Sequence, residues 1–409
     1  ALTGTLSDLT SVYAAAVTSG NGILESSYDG SVITIQEPET FGGLISAADL
    51  NALNALTTGD ITIDADWDAS GNGEVTTITG ITGTYGQVHD ALTQDKAADA
   101  GNTGVADATL VIPDTFTVNL TGTVTVAELN DIVNNYTTGV VTATISDTDM
   151  ATLDDLTTTA GAYTVTVADT NVQTDTLDTL DGDTTATVTV TSSTLTGEFN
   201  GGDAGDVNTT IDSAGISGLD SIGVISEEAS NTVAEVNTVS AKTTGVVTAT
   251  ITEQTMDGLA AINETGNAYT ITVADGSVAA SALNVLNGKT TGVITVNATN
   301  ITGALSDIKA AYDANTAGEI TGLGNETITV SDTGSITSSD LNDLNALTTG
   351  VVTVTGATTI TGSLADLLTS YGSDNGIVTG LSDEAITLTD TGSVSAADLN
   401  TLNGKTTGT

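Results

Sequence analysis

Apolar and polar positions alternate, then change rhythm, then repeat. In Ala385–Gly408 (AITLTDTGSVSAADLNTLNGKTTG), Ile386 and Leu388 are apolar while Thr387 and Thr389 are polar. Period two predicts a strand with one buried face. β-Branched Thr, Val and Ile suit a pleated surface. Asp390-Thr391-Gly392 is a turn signal, and Val394 points back inward. Ser395, with Asp398 three residues on, predicts a helix N-cap with Asp in place of the usual Glu. Leu399 and Leu402 share one helical face. Asn403-Gly404 stops the helix, and Thr406-Thr407-Gly408 turns the chain into its next strand.

The same string stands at Thr327–Gly350 and Tyr269–Gly292, and Leu283, Leu341 and Leu399 are 58 residues apart (341 − 283 and 399 − 341). A second coil type fills each period: Val293–Tyr312 and Val351–Tyr371 carry a strand, then Ile-Thr-Gly, then a longer helix. The start of the chain, Leu2 to Tyr13, matches that helix. In the middle, Leu129, Leu153 and Leu177 recur every 24 residues. One such coil cannot bury its apolar face alone, but stacked coils close rows of Ile, Val and Leu over one another.

The expected fold class is therefore a β/α repeat solenoid. Short parallel strands and short helices stack in coils of about 24 residues with a two-coil superperiod of 58. Right-handed winding follows from the strand–helix–parallel strand rule. Helices are about 10 Å wide and strands stack under 5 Å apart, so curvature is expected. Residues 1–409 read as one continuous array with irregular insertions at 64–76, 85–114 and 200–220. The chain opens mid-repeat and closes just after a turn, so both ends are expected to be cut from a longer array or a precursor.

Composition narrows the core and the chemistry. Aromatics are 3%, so the core is aliphatic. Hydrophobic residues reach 39% and are periodic, which argues against disorder. There are 52 acidic residues against five Lys and no Arg, a formal net charge of −47. Such a surface repels nucleic acid and anionic membranes, and no apolar run is long enough to insert in a membrane. Spread-out carboxylates point to solubility in a saline setting; divalent cation binding is the sharper reading. Without Cys there are no disulfides or thiolate metal sites.

Two loops carry candidate calcium chemistry. Asp66, Asp68, Ser70, Asn72 and Glu74 place oxygen ligands at alternate positions around Gly71, as a hard cation requires. Position twelve of that loop is Thr77 rather than Glu, and the plain alternative is a polar surface loop. Gly201–Asp206 (GGDAGD) resembles the glycine–aspartate calcium nonapeptide but is out of order by one position, which favours a flexible loop. The turn residues Asp169, Asp275, Asp332 and Asp390 recur at equivalent positions, as turn formers or as a cation ladder between coils. Thr-x-Thr pairs such as Thr142/Thr144 and Thr270/Thr272 have the look of an ice-binding face, although Thr is also the simplest outward strand residue. Catalysis is poorly supplied: the one His, His89, reads as a surface residue in an irregular loop, so no enzyme is expected.

The strings SAADLNTLNGKTTG, SSDLNDLNALTTG and ITGALSDIKAAY resemble the repeats of very large cell-surface proteins of marine unicellular cyanobacteria. The resemblance implies an extracellular, multi-repeat structural role in calcium-rich seawater, and brings no catalytic residues. Similar repeats would also suit a phage appendage. The sequence thus leads to an extracellular surface coat, filament or stalk element that self-associates head to tail and is bridged by Ca2+. A calcium-dependent adhesin is the alternative.

Overall fold

A computed structural model describes residues 2–19, 32–36, 43–57, 61–63, 78–99, 110–157, 161–199, 206–372 and 378–408. The chain is α/β, with parallel sheets of short strands and, among the described residues, 14 helices. Contacts divide it into two compact units, residues 1–193 with 209–219 and residues 194–208 with 220–409.

In the first unit, Leu2–Gly4, Ile33–Ile35, Ile61–Ile63 and Leu110–Val111 form one sheet. A second runs from Leu44–Ser46 through Gly80–Gly83, Thr117–Val124, Val141–Ile145, Ala162–Val167 and Val188–Val190 to Ile216–Ser217. In the second unit a sheet runs through Gly223–Ser226, Val247–Thr250, Ala268–Val273 and Ile294–Val296 to Ile320–Thr321. Another follows Ser277–Ala279, Asn300–Gly303, Thr327–Val330, Val352–Val354 and Val378–Thr379. A third joins Ser335–Thr337, Thr359–Gly362 and Ala385–Leu388.

Register places like on like. Ile271 pairs with Ile294, and Ile294 with Ile320; all three are fully buried. The neighbouring row of Thr272, Thr295 and Thr321 faces outward, and Thr295 and Thr321 exchange a hydroxyl hydrogen bond of 3.3 Å. This is the period-two pattern turned into a dry face and a wet face.

The helices start where the sequence says they should. Ser395, Ser46, Thr337 and Ser363 each accept from the backbone N–H three residues on. Thr125/Glu128 and Thr232/Glu235 complete the reciprocal capping box. The helix of the last repeat also ends where expected, at Asn403 with Gly404 as its C-cap, and its equivalent ends at Asn287 with Gly288; both glycines sit in the right-handed region, whereas Gly318, which closes Leu305–Ala317, is left-handed. Leu283 and Leu341 are fully buried. Leu399 is only half-buried, and Leu388 is 38% exposed where its equivalent Val330 is 0%. Leu388 lies on the last strand of its sheet, whose outer edge no further described strand covers.

Two expected irregular segments are partly regular. Residues 85–114 open with the helix Tyr85–Asp99 and include the strand Leu110–Val111. His89 is therefore on a helix, not in a loop, because Val88, Ala91 and Leu92 give the segment a buried face at helical spacing. Residues 200–220 include the helix Val207–Asp212 and the strand Ile216–Ser217. The insertion at 64–76 lies outside the described residues.

What joins one coil to the next is the Thr-Thr-Gly turn. Thr290 is buried, and its hydroxyl donates to Tyr269 O at 3.0 Å while accepting from Tyr269 N at 2.8 Å and Gly292 N at 2.9 Å. Its neighbour Thr291 donates to Asn267 O at 3.2 Å. The first hydroxyl repeats this reach-back at Thr137 to Phe116 O, Thr184 to Tyr163 O, Thr243 to Ile222 O, Thr348 to Glu326 O and Thr406 to Glu384 O. Glycine follows because a Cβ at Gly292 would stand 2.3 Å from Tyr269 O, and one at Gly245 2.0 Å from Ile222 O. The turn does more than redirect the chain: it satisfies buried backbone groups of the coil before it.

Helix asparagines add a second tie. Asn130, Asn237, Asn284 and Asn342 donate from Nδ2 to the carbonyls of Asp155, Ala261, Asp307 and Asp366, each in the following coil. The longer coils also bury an acid. Glu326 is 1% exposed and accepts from Tyr312 Oη at 2.7 Å and Gly324 N at 2.9 Å. Burial, and then the Glu326 carboxylate, push the Tyr312 phenol well above its ordinary pKa. Tyr371 and Glu384 repeat the pair at 3.4 Å.

Thr290→Val keeps the shape but leaves Tyr269 N and Gly292 N without their acceptor. Urea unfolding is expected to show a loss of about 2 kcal/mol, against less than about 0.5 kcal/mol for Thr291→Val in the half-exposed position beside it. Equal losses would remove the special role of the first threonine.

Candidate functional site

The turn aspartates have a defined task. Asp169 Oδ2 accepts from Met150 N, Asp275 from Met256 N, Asp332 from Leu305 N and Asp390 from Leu364 N, each at 2.7 Å. Each recipient is the first residue of the helix in the preceding coil. Asp147 does the same for Val126 at 2.7 Å, and Glu253 for Val233 at 2.9 Å. Except at Ala304, which has no capping side chain, the N-cap side chain serves the third helical N–H and the next coil's acid serves the first. Two orphan donors and the positive end of the helix dipole are met together.

Asp66, Asp68, Ser70, Asn72 and Glu74 lie outside the described residues, as do Gly201–Gly205. Asp206, the last residue of that second loop motif, is buried and accepts from Asn208 N at 2.8 Å. Among the described residues, no three His, Asp or Glu side chains are grouped to hold a metal ion. No helix there is long and apolar enough to cross a membrane.

Among the described residues, two places bring a basic side chain against acidic ones. The first is a cleft of about 440 Å³ beside the helix Leu305–Ala317, lined in part by Lys309, Asp332, Ser335, Thr337 and Asp340. Lys309 Nζ stands 2.5 Å from Asp340 Oδ1 and 3.6 Å from Asp343 Oδ2. The hydrogen bond from Lys309, then that from Thr337, hold the Asp340 carboxyl below its ordinary pKa. The same bond raises the Lys309 ammonium.

The second place is its counterpart in the first unit. Aligning Ile81-Thr82-Gly83 with Ile301-Thr302-Gly303 puts Tyr85 where Leu305 stands and His89 where Lys309 stands. Aligning Thr137-Thr138-Gly139 with Thr348-Thr349-Gly350 puts Tyr136 at the position of Leu347. These residues meet. His89 Nε2 is 3.5 Å from Asp131 Oδ2 and 3.4 Å from Tyr136 Oη. Tyr85 Oη donates to Asp131 Oδ2 at 3.2 Å. The His89 ring lies 5.4 Å from the Tyr85 ring and 5.5 Å, edge-on, from Tyr136. Burial, then the Asp131 charge and hydrogen bond, raise the Tyr85 phenol pKa. The side chains of His89 and Asp131 are about one-third exposed, at 33% and 31%.

Reading the sequence alone leaves this cluster unseen, because its halves lie more than forty residues apart. The visible signal is Tyr85-x-x-x-His89, one helical turn, with Tyr85 standing where Leu6, Leu305 and Leu364 stand in the other copies. Comparison with protein-family models, with curated proteins and with solved structures finds no match.

Asp340 supplies a pH test. Its depressed pKa means its contribution is present above the unfolded carboxyl value, near about 4, and is lost as pH falls through the lower folded value. The stability difference between wild type and Asp340→Asn, followed by urea unfolding, is expected to be level near neutrality and to shrink in acid. Asp340 is 45% exposed, so solvent screening limits the plateau to below about 0.5 kcal/mol. A difference that grows in acid would reverse the assignment.

Proposed function

We propose that this chain is a structural repeat protein of the cell surface, serving as a coat, filament or stalk element. Its repeats wind as a right-handed β/α solenoid in which every coil is a spacer held by its neighbours. The observation that carries this reading is the Thr-Thr-Gly latch, found in the same place at Thr137, Thr243, Thr290, Thr348 and Thr406. A chain selected for length repeats the joint between units, whereas a chain selected for one site varies its loops around it. The acid excess fits the same role: a net charge of −47 keeps copies apart until dissolved cations screen or bridge them. The resemblance to cyanobacterial surface repeats points the same way, and head-to-tail self-association with Ca2+ between copies is the assembly it favours.

Two outcomes follow. Removing one whole superperiod, residues 293–350, joins Gly292 to Val351 at equivalent positions. That shortened chain is expected to fold, with unchanged circular dichroism per residue and a urea m-value reduced in proportion to length; an unfolded product would sink the solenoid. Antibodies raised against the chain are expected to label intact source cells. Labelling that requires permeabilised cells would sink the surface role.

A further inference from the structure

We propose that Tyr85, His89, Asp131 and Tyr136 form a binding site for ferric iron. Four potential ligand atoms converge from the helix Tyr85–Asp99 and the end of the helix Val126–Asn135. Asp131 Oδ2 stands 3.2 Å from Tyr85 Oη and 3.5 Å from His89 Nε2, and His89 Nε2 stands 3.4 Å from Tyr136 Oη. Ligand atoms about 2.0–2.1 Å from a small ion lie about 2.9 Å apart when adjacent in an octahedron and about 3.3 Å apart in a tetrahedron. These three neighbouring separations lie within a few tenths of an ångström of that range, so the three pairs close only slightly when an ion enters beside them.

The donor set selects the ion. Two phenols and a carboxylate offer three hard oxygens that carry three negative charges once the phenols ionise. A hard trivalent cation matches that charge, and tyrosinate is an established ligand of iron. Zinc favours His and Cys, and calcium takes six to eight carboxylate, carbonyl and water oxygens. Binding releases two protons, one from each phenol, and forms two Fe–O(phenolate) bonds, one Fe–O(carboxylate) bond and one Fe–N bond, in place of bonds to the water or chelator ligands that the ion gives up. No electron is transferred. Asp131 opposes ionisation of Tyr85 in the metal-free chain, but a trivalent ion reverses that sign. Glu128 acts on Tyr85 in the same direction as Asp131.

The surroundings suit ligation. Asp131 Oδ1 accepts from Asn135 Nδ2 at 2.9 Å, which leaves Oδ2 to the cluster. Thr93 Oγ1 donates to Tyr136 Oη at 3.3 Å and would support a phenolate there. Asp90 Oδ1 stands 3.8 Å from His89 Nδ1, the ring nitrogen away from the cluster, which is beyond hydrogen-bond distance. Tyr85 is also a departure from the repeat, since Leu6, Leu305 and Leu364 occupy the equivalent position, while His89 and Tyr136 stand where the copies vary. Nothing in stacking coils calls for Tyr, His and Tyr at one spot.

The test is a titration of the full chain with ferric nitrilotriacetate near neutral pH, followed by visible absorption. One equivalent is expected to raise a phenolate-to-iron charge-transfer band, and resonance Raman in that band is expected to show coordinated tyrosinate modes. The Tyr85→Phe/Tyr136→Phe pair is expected to abolish the band, and His89→Asn to weaken retention of iron against added chelator. Raman on wild type keeps the test decisive even where a variant folds poorly. Iron bound without the band, held by scattered carboxylates, would overturn the proposal. So would a band that persists in the double Phe variant.

Discussion

Parallel sheets of short strands joined by short helices have one recurring difficulty, which is that backbone amides and carbonyls at each corner face the next repeat in a region closed to water. Leaving one such group unpaired costs about 1–3 kcal/mol. Strand pairing solves this for the strands but not for the corners between strand and helix. Here the corner is solved by a hydroxyl. Thr290 Oγ accepts from two amides and donates to one carbonyl, so a single buried oxygen closes three bonds across two coils. Valine has the shape without the bonds. Serine has the bonds without the methyl that fills the corner. At Gly292 and Gly245 the approach that makes those bonds short leaves no room for a Cβ. Ala186, two residues after Thr184, still donates its N–H to that hydroxyl, and Gly215 donates likewise to Ser213, so the hydroxyl rather than the glycine is the constant part of the joint.

The acid excess follows a similar geometric rule. A short helix has as many unpaired N–H groups at its start as a long one, so an array of short helices needs many acceptors per residue. Asp and Glu meet that need from three directions: as N3 partners such as Glu128 and Glu235, as the N-cap Asp149, and as turn residues reaching from the next coil. Much of the negative charge therefore rests at helix starts, where the dipole welcomes it. Three of the five lysines sit at the other end: Lys242, Lys289 and Lys405 each directly follow the C-cap residue of their own helix, Ala241, Gly288 and Gly404.

What a sequence displays depends on how far apart the partners are. Alternation within Ile386–Thr389 and the caps at Ser395 and Thr337 involve residues within a few positions of one another, so their pattern is legible. The second task of Thr406-Thr407-Gly408 is not, because its acceptors, Glu384 O and Ser382 O, lie one coil earlier and are backbone atoms with no residue signature. The turn aspartates were half legible. Their recurrence was plain, but a cation ladder and a turn both fitted it, and the helix start each one serves is 19 to 27 residues upstream. The helix carrying His89 was hidden by Gly86 and a polar composition, although Val88, Ala91 and Leu92 already marked a face.

Repetition also bears on the site proposed at Tyr85, His89, Asp131 and Tyr136. In a single-core domain, replacing a Leu and a Lys by Tyr and His at a helix interface disturbs everything packed around them. In an array, each coil is held chiefly by its two neighbours, so one interface can drift while the latches on either side stay intact. Tyr85 lies half-buried at the first turn of its helix, and Thr137 beside Tyr136 still bonds Phe116 O at 2.9 Å. The coil keeps its joint and changes only its outer helix face. Chemistry in such a protein is therefore best sought where the outer face departs from the repeat and the inner threonine does not.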